Sequence, residues 1–118
     1  MAIEEIDVDE LAERMDAANK AGAAVRLIDV REVSEYTEGH VPGAELIVLG
    51  TVPDNVDRFG GDGPAYVICK SGARSMRAAE YVAAQGIEAI NIAGGTMAWI
   101  RSGRDVVTGD APGGATTS

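Results

Sequence analysis

A mainly parallel α/β domain is the fold class this sequence predicts: about five strands, with helices on both faces of one sheet. Three observations predict it. Short apolar runs rich in β-branched residues alternate along the chain with segments of helical periodicity. The connections between them are short, which calls for right-handed βαβ units and a parallel sheet. The 118 residues, 46% hydrophobic and 25% charged, suffice for one domain with a real core.

Taken in order, Glu4 to Ile6 reads as a short strand. Asp7 followed three residues later by Glu10 is a capping-box pattern. Leu11, Met15 and Ala18 then recur at helical spacing, so an amphipathic helix is expected to about Lys20, ending at Ala21-Gly22. Val25 to Val30 is nearly continuously apolar, as a strand covered on both faces requires. Glu32 to Thr37 reads as a helical turn, Gly39 to Gly43 as a turn-rich connection and Ala44 to Leu49 as another strand. Thr51 to Phe59, interrupted by Pro53, fits either a weak helix or an irregular segment. Ala65 to Ile68 is a buried strand. Arg74 to Gln85 places Ala78, Ala79, Val82 and Ala83 at helical spacing, and Gly86 supplies the stop. Ile87 to Ile92 reads as the last strand and Thr96 to Ser102 as a helix carrying Met97 and Trp99, with Trp99 a core residue. Residues 108–118 lack periodicity and are rich in Gly, Ala, Pro, Thr and Ser, so a disordered tail is expected there.

Cys69, the only cysteine, lies where the strand 65–68 gives way to a loop and then a helix. A lone cysteine is often a small buried hydrophobe. Here Gly72 permits a tight turn, the first N–H groups of the following helix are free to face the loop, and Lys70 and Arg74 add positive charge. Those conditions lower a thiol pKa and make the sulfur a nucleophile. In a parallel α/β sheet, ligands bind beyond the carboxyl ends of the strands, which is where Cys69 falls.

The segment Cys69-Lys70-Ser71-Gly72-Ala73-Arg74-Ser75 resembles the Cys-x-x-Gly-x-Arg active-site loop of single-domain rhodaneses, a family of sulfurtransferases. Three further segments resemble the family in the same order: Asp29-Val30-Arg31, Gly39-His40-Val41-Pro42-Gly43-Ala44, and Gly94-Gly95 followed by Trp99. The resemblance runs over residues 3–107, which it marks as one rhodanese-like domain. It implies a ping-pong sulfur transfer in which the Cys69 thiolate takes the outer sulfur of an anionic donor such as thiosulfate. The persulfide then passes it to cyanide, a thiol or a protein sulfur acceptor. Cys69 is the catalytic residue on this reading, and Lys70, Ser71, Gly72, Ala73, Arg74 and Ser75 form the substrate-binding loop, with the Arg74 guanidinium holding the donor's charge. Many family members have Arg where this chain has Lys70, which keeps the charge without the planar fork.

Asp29 and Arg31 are expected to support the site. The favoured reading is a brace, with Arg31 paired to Glu35 or Glu38 and Asp29 holding backbone N–H groups; the alternative is that Arg31 contacts an anionic substrate. His40, the only histidine, invites a Cys–His dyad, but it sits in a turn and sulfur transfer from a preformed thiolate needs no general base.

The formal net charge of −9 argues against a nucleic-acid partner, and the loop must then supply a positive spot on a negative body. No apolar run approaches a membrane span and the acidic N-terminus lacks a signal-peptide pattern, so no membrane partner is expected. With one thiol and no ligand cluster, neither a disulfide, a metal nor another cofactor is expected, and the cytoplasm is the default location. Two other functions compete with sulfur transfer: a related Cys-dependent phosphatase or arsenate reductase using the loop as a phosphate cradle, and a non-catalytic binding module. The presence of Cys69 counts against the module. Loop length counts against the phosphatase, because four residues separate Cys69 from Arg74 where the phosphatases keep five.

Overall fold

The computed structural model describes residues 2–113. Five strands, β1 (Glu4–Ile6), β2 (Arg26–Asp29), β3 (Glu45–Leu46), β4 (Ala65–Ile68) and β5 (Ala89–Ile92), form one sheet in the order β1-β5-β4-β2-β3. Every pairing is parallel, as the short connections require. Four α-helices, α1 (Val8–Lys20), α2 (Val33–Glu38), α3 (Ala73–Ala84) and α4 (Gly95–Arg101), and a 3₁₀ segment (Leu49–Phe59) cover the two faces. Among the described residues no helix is long and apolar enough to cross a membrane.

The sheet divides the core in two. On one face Leu11 of α1, Tyr36 of α2 and Trp99 of α4 pack on Tyr66, Ile68, Ile90 and Ile92. On the other, Val52 and Phe59 of the 3₁₀ segment and Ala78, Ala79 and Val82 of α3 pack on Ala65 and Val67. Strand side chains alternate between faces, so the residue after Ile68 belongs with Ala65 and Val67. Cys69 does, and its side chain therefore faces α3.

Half of the expected capping box forms at the start of α1: Asp7 Oδ1 accepts from Glu10 N at 2.9 Å, while the Glu10 carboxylate accepts from Arg14 Nε at 2.9 Å. Trp99 is buried and donates its Nε1–H to Asp105 O. The third strand is shorter than its apolar run implies. Only Glu45 and Leu46 join the ladder; Thr51 N then donates to Val48 O and the chain winds into the 3₁₀ segment. Pro53 inside that segment and the non-helical Asn55 keep it from becoming a regular helix.

Residues 108–113, the first part of the segment expected to lack order, make specific contacts. Gly109 N donates to Thr37 O, Gly43 N to Pro112 O, and the carbonyls of Ala111 and Pro112 meet His40 Nε2 at 2.9 and 3.2 Å. The rest of that tail, 114–118, lies outside the described residues.

Candidate active site

The chain leaves β2 outward toward β3 and leaves β4 the opposite way toward β5, so a crevice opens between the carboxyl ends of β2 and β4. Cys69 is the first residue past β4, and Val30 and Arg31 follow β2, with Val30 N donating to Ile68 O at 3.0 Å. The resemblance-derived motifs are therefore brought together by the sheet order.

Cys69 is a free thiol with 1% exposure. The loop turns back over it because Gly72 takes φ 114°, a region that side chains with a Cβ rarely enter. The turn lets Gly72 N donate to Cys69 Sγ at 3.1 Å, while the Ser75 hydroxyl, in the first turn of α3, donates to the same sulfur at 3.2 Å. Burial by itself pushes the thiol up. Against it the Ser75 hydroxyl and the backbone N–H groups of Ser75, Gly72 and Ser71 favour the thiolate, and the net direction is below the ordinary value. Buried, hydrogen-bonded and shifted toward the anion, the sulfur has the environment of an activated nucleophile.

Helix α4 holds the loop from behind. Thr96 donates to Cys69 O through both its N–H, at 2.9 Å, and its hydroxyl, at 3.0 Å; Met97 N donates to Lys70 O at 3.0 Å. Gly95 lies so close that an added Cβ would stand 2.6 Å from Cys69 O and 2.5 Å from Lys70 O. The Gly-Gly before the last helix thus lets a helix N-terminus reach the carbonyls of the cysteine loop.

The expected ion pair of Arg31 changes partner, and Arg74 takes the carboxylate it leaves. Arg31 pairs with Asp29, its Nη2 to Oδ2 at 2.8 Å and its Nε to Oδ1 at 2.9 Å, and Nη2 also reaches Gly39 O at 2.9 Å. It does not pair with Glu35 or Glu38. Residues two apart on an extended backbone project to the same side, so Asp29, fully buried, is the nearer carboxylate. Asp29 also holds the Arg31 backbone N–H at 3.1 Å, as the brace reading anticipates. Glu35 is taken by Arg74 in a two-bond fork of 2.8 and 2.9 Å, and its Oε1 accepts from Glu32 N at the start of α2. Arg74 thereby ties the start of α3 to the start of α2. Lys70 and Arg77 are exposed and have no ion pair among the described residues. Lys70 borders a groove of about 280 Å³ walled also by Glu35, Glu38, Met97 and Ile100.

The hydrogen bond from Arg74 lowers the Glu35 carboxyl from 4.5 to about 2. A depressed acid contributes stability that is full above its unfolded pKa and is lost as pH falls through the folded one. Wild type should therefore exceed Arg74→Met in stability above about pH 4.5, and the gap should close between there and about pH 2. Denaturant melts of both proteins across that range check the sign.

His40 is fully buried and stacks on Tyr36 with ring centroids 3.6 Å apart. Nδ1 meets Tyr36 O at 2.8 Å and Nε2 meets the carbonyls of 111 and 112, so neither nitrogen bonds the cysteine. Reading the chain for chemistry missed Glu35, Gly95, Thr96 and Asn91 as neighbours of the loop. Gly95 was marked only as part of the Gly-Gly motif, and Asn91 carried a signal of its own, a polar residue between Ile90 and Ile92 in a strand buried at every position.

Fold and site together define a parallel α/β domain with a buried, hydrogen-bonded cysteine thiol in a short backbone-lined loop at a sheet switch point. The model of the rhodanese-like domain matches residues 7–102, and the chain belongs to that family. The Bacillus subtilis protein YtwF is 38% identical over 99 residues, covering 84% of this chain and 92% of that one. A protein of Allochromatium vinosum named sulfurtransferase is 32% identical over 106 residues, covering 89% and 95%. Among solved structures, the rhodanese-like domain protein from Staphylococcus aureus superposes with a TM-score of 0.75 at 36% identity, covering 82% of this chain and 91% of that one.

Proposed function

We propose that the protein is a sulfurtransferase that carries a sulfane sulfur as a persulfide on Cys69. The observation that supports this most directly is the pair of donors, Gly72 N–H and Ser75 O–H, aimed at a buried Sγ at 3.1 and 3.2 Å. With thiosulfate as donor, the thiolate attacks the outer sulfur, the new S–S bond forms, and the old sulfur–sulfur bond breaks with sulfite leaving on its electron pair. The negative charge ends on the outer sulfur of the persulfide, where the loop N–H groups between Lys70 and Arg74 can receive it. In the second half-reaction an acceptor thiolate or cyanide attacks that outer sulfur and Cys69 departs as thiolate. A thiol with a depressed pKa is the better leaving group there, so the same hydrogen bonds assist both steps. Neither step needs a redox partner or a general base, in keeping with a histidine whose ring nitrogens are engaged elsewhere.

The Glu35 fork narrows the role of Arg74. A guanidinium already held by two bonds is a loop brace first, and the charge available to an anionic donor is that of Lys70, assisted by the loop N–H groups. A cytoplasmic site of action suits a single thiol that must stay reduced.

Incubation with thiosulfate followed by intact mass measurement is the test. One added sulfur atom on wild type, removed by cyanide or a small thiol and absent from an alkylated sample, is the expected result. Aryl phosphates should not be hydrolysed, because the loop is one residue shorter than a phosphate cradle and its guanidinium is occupied. No sulfur adduct together with robust, Cys69-dependent phosphate release would overturn the proposal.

A further inference from the structure

Asn91 lies in the middle of β5 with no exposed surface, between Ile90 and Ile92. Its Nδ2 donates twice, to Gly72 O in the cysteine loop at 3.1 Å and to Glu5 Oε2 on the edge strand β1 at 2.8 Å. Its Oδ1 is the one buried side-chain polar atom among the described residues that finds no partner. Turning the amide over would not help, since the oxygen would then face a carbonyl and a carboxylate. A buried acceptor with no donor is a cost that an apolar side chain of similar volume would avoid. Leucine would fill the same place in a strand whose other positions are Ala and Ile. A residue that breaks the local rule of its strand is expected where function sets the choice.

The second bond shows what is gained. Gly72 is the residue whose N–H donates to Cys69 Sγ, and it holds a left-handed backbone with no side chain of its own to anchor it. Its carbonyl otherwise accepts only the first helical bond of α3, from Met76 N at 3.3 Å. The Asn91 amide, itself oriented by Glu5, pins that carbonyl from the sheet side. We propose that Asn91 is a positioning residue for the cysteine loop: through Gly72 O it aims the Gly72 N–H at the sulfur and so sets the reactivity of Cys69. This rests on the reading of Cys69 as the sulfur-carrying nucleophile, but its readout does not need sulfur transfer. The charged groups on the elements that meet at the cysteine loop are Lys70 in the loop, Arg74 at the start of α3, Glu35 on α2 and Asp29 and Arg31 at the end of β2; none of them contacts the Asn91 amide, whose one charged partner is Glu5 of β1.

The experiment compares wild type with Asn91→Leu. The pH profile of alkylation by iodoacetamide gives the thiol titration, thermal melting gives stability, and single-turnover persulfide formation gives the rate and its dependence on donor concentration. Asn91→Leu is expected to fold with a melting temperature no lower than wild type, while the alkylation midpoint moves up by about one pH unit. Persulfide formation at neutral pH should slow about tenfold at saturating donor, with half-saturation little changed. A folded variant whose thiol titrates like wild type would overturn the proposal. Should the variant fail to fold, the wild-type protein still decides: the side-chain amide resonances of Asn91 should shift in step with Cys69 ionisation, and a resonance indifferent to it would equally overturn the proposal. If wild type never gains sulfur from thiosulfate while the titration still moves in Asn91→Leu, the sulfurtransferase reading fails and the positioning role stands.

Discussion

Cys69→Ser should lose sulfur transfer by at least about a thousandfold, to the level of background chemistry, while its stability stays within about 1 kcal/mol of wild type. The two halves of this expectation have separate causes. The swap is nearly isosteric, and a serine hydroxyl at this place inherits the Gly72 N–H and the Ser75 hydroxyl as partners, so no buried group is orphaned. What disappears is a sulfur that ionises within reach of neutral pH and bonds reversibly to another sulfur. In wild type, burial opposes ionisation and the hydrogen bonds of Ser75, Gly72 and Ser71 overcome it, so alkylation should begin below the range of a free thiol, whose pKa is about 8.5. Steady-state transfer assays, alkylation profiles and denaturant melts together check the prediction. Unfolding of Cys69→Ser would mean that the side chain serves chiefly the core it borders; an alkylation profile matching free cysteine would remove the activated nucleophile.

Gly95→Ala should be the most damaging small substitution in the chain, costing about 3 kcal/mol or more and abolishing transfer in whatever fraction still folds. Two costs add. The residue sits at φ 59°, where a Cβ is strained by roughly 1 kcal/mol. The Cβ would also stand 2.5 Å from Lys70 O and 2.6 Å from Cys69 O, and these are backbone atoms that cannot rotate aside. Relief requires α4 to withdraw from the loop, which breaks the bonds from Thr96 and Met97 to those same carbonyls. Gly43→Ala supplies the control. It has φ 90° but nothing within 4 Å of the added Cβ, so it should cost only the conformational part, about 1 kcal/mol. Urea melts of the two variants separate backbone strain from collision; equal losses would show that α4 and the cysteine loop are not in the tight contact described here.

Most of the fold was legible because its signals are local. The periodicity of Leu11 and Met15, the cap at Asp7, the β-branched run ending at Ile68 and the glycine after Gln85 each act within a few residues, and the elements they mark are present at nearly the expected bounds. The third strand was overestimated because Ile47 and Leu49 are apolar for the sake of the core under the 3₁₀ segment, and hydropathy does not distinguish that from a ladder position. The segment after Val107 was expected to be featureless for a similar reason. Its composition has no periodicity, but the carbonyls of 111 and 112 are what the buried His40 ring meets.

For the site, the sequence by itself determined where the one thiol falls, the glycine that turns its loop, the two cations beside it in the chain, and the sheet edge on which it stands. Those follow from neighbours in the chain and from the rule that strand ends carry the chemistry. Tertiary structure decided the partnerships: Arg74 with Glu35, Arg31 with Asp29, Gly95 against the cysteine's own carbonyl, and Asn91 beneath Gly72. Each joins groups from different strands and helices, or chooses among several carboxylates of equal sequence merit. The choice is made by which side chains the parallel sheet brings within about 3 Å of one another, where a charge-assisted hydrogen bond becomes strong enough to exclude its rivals.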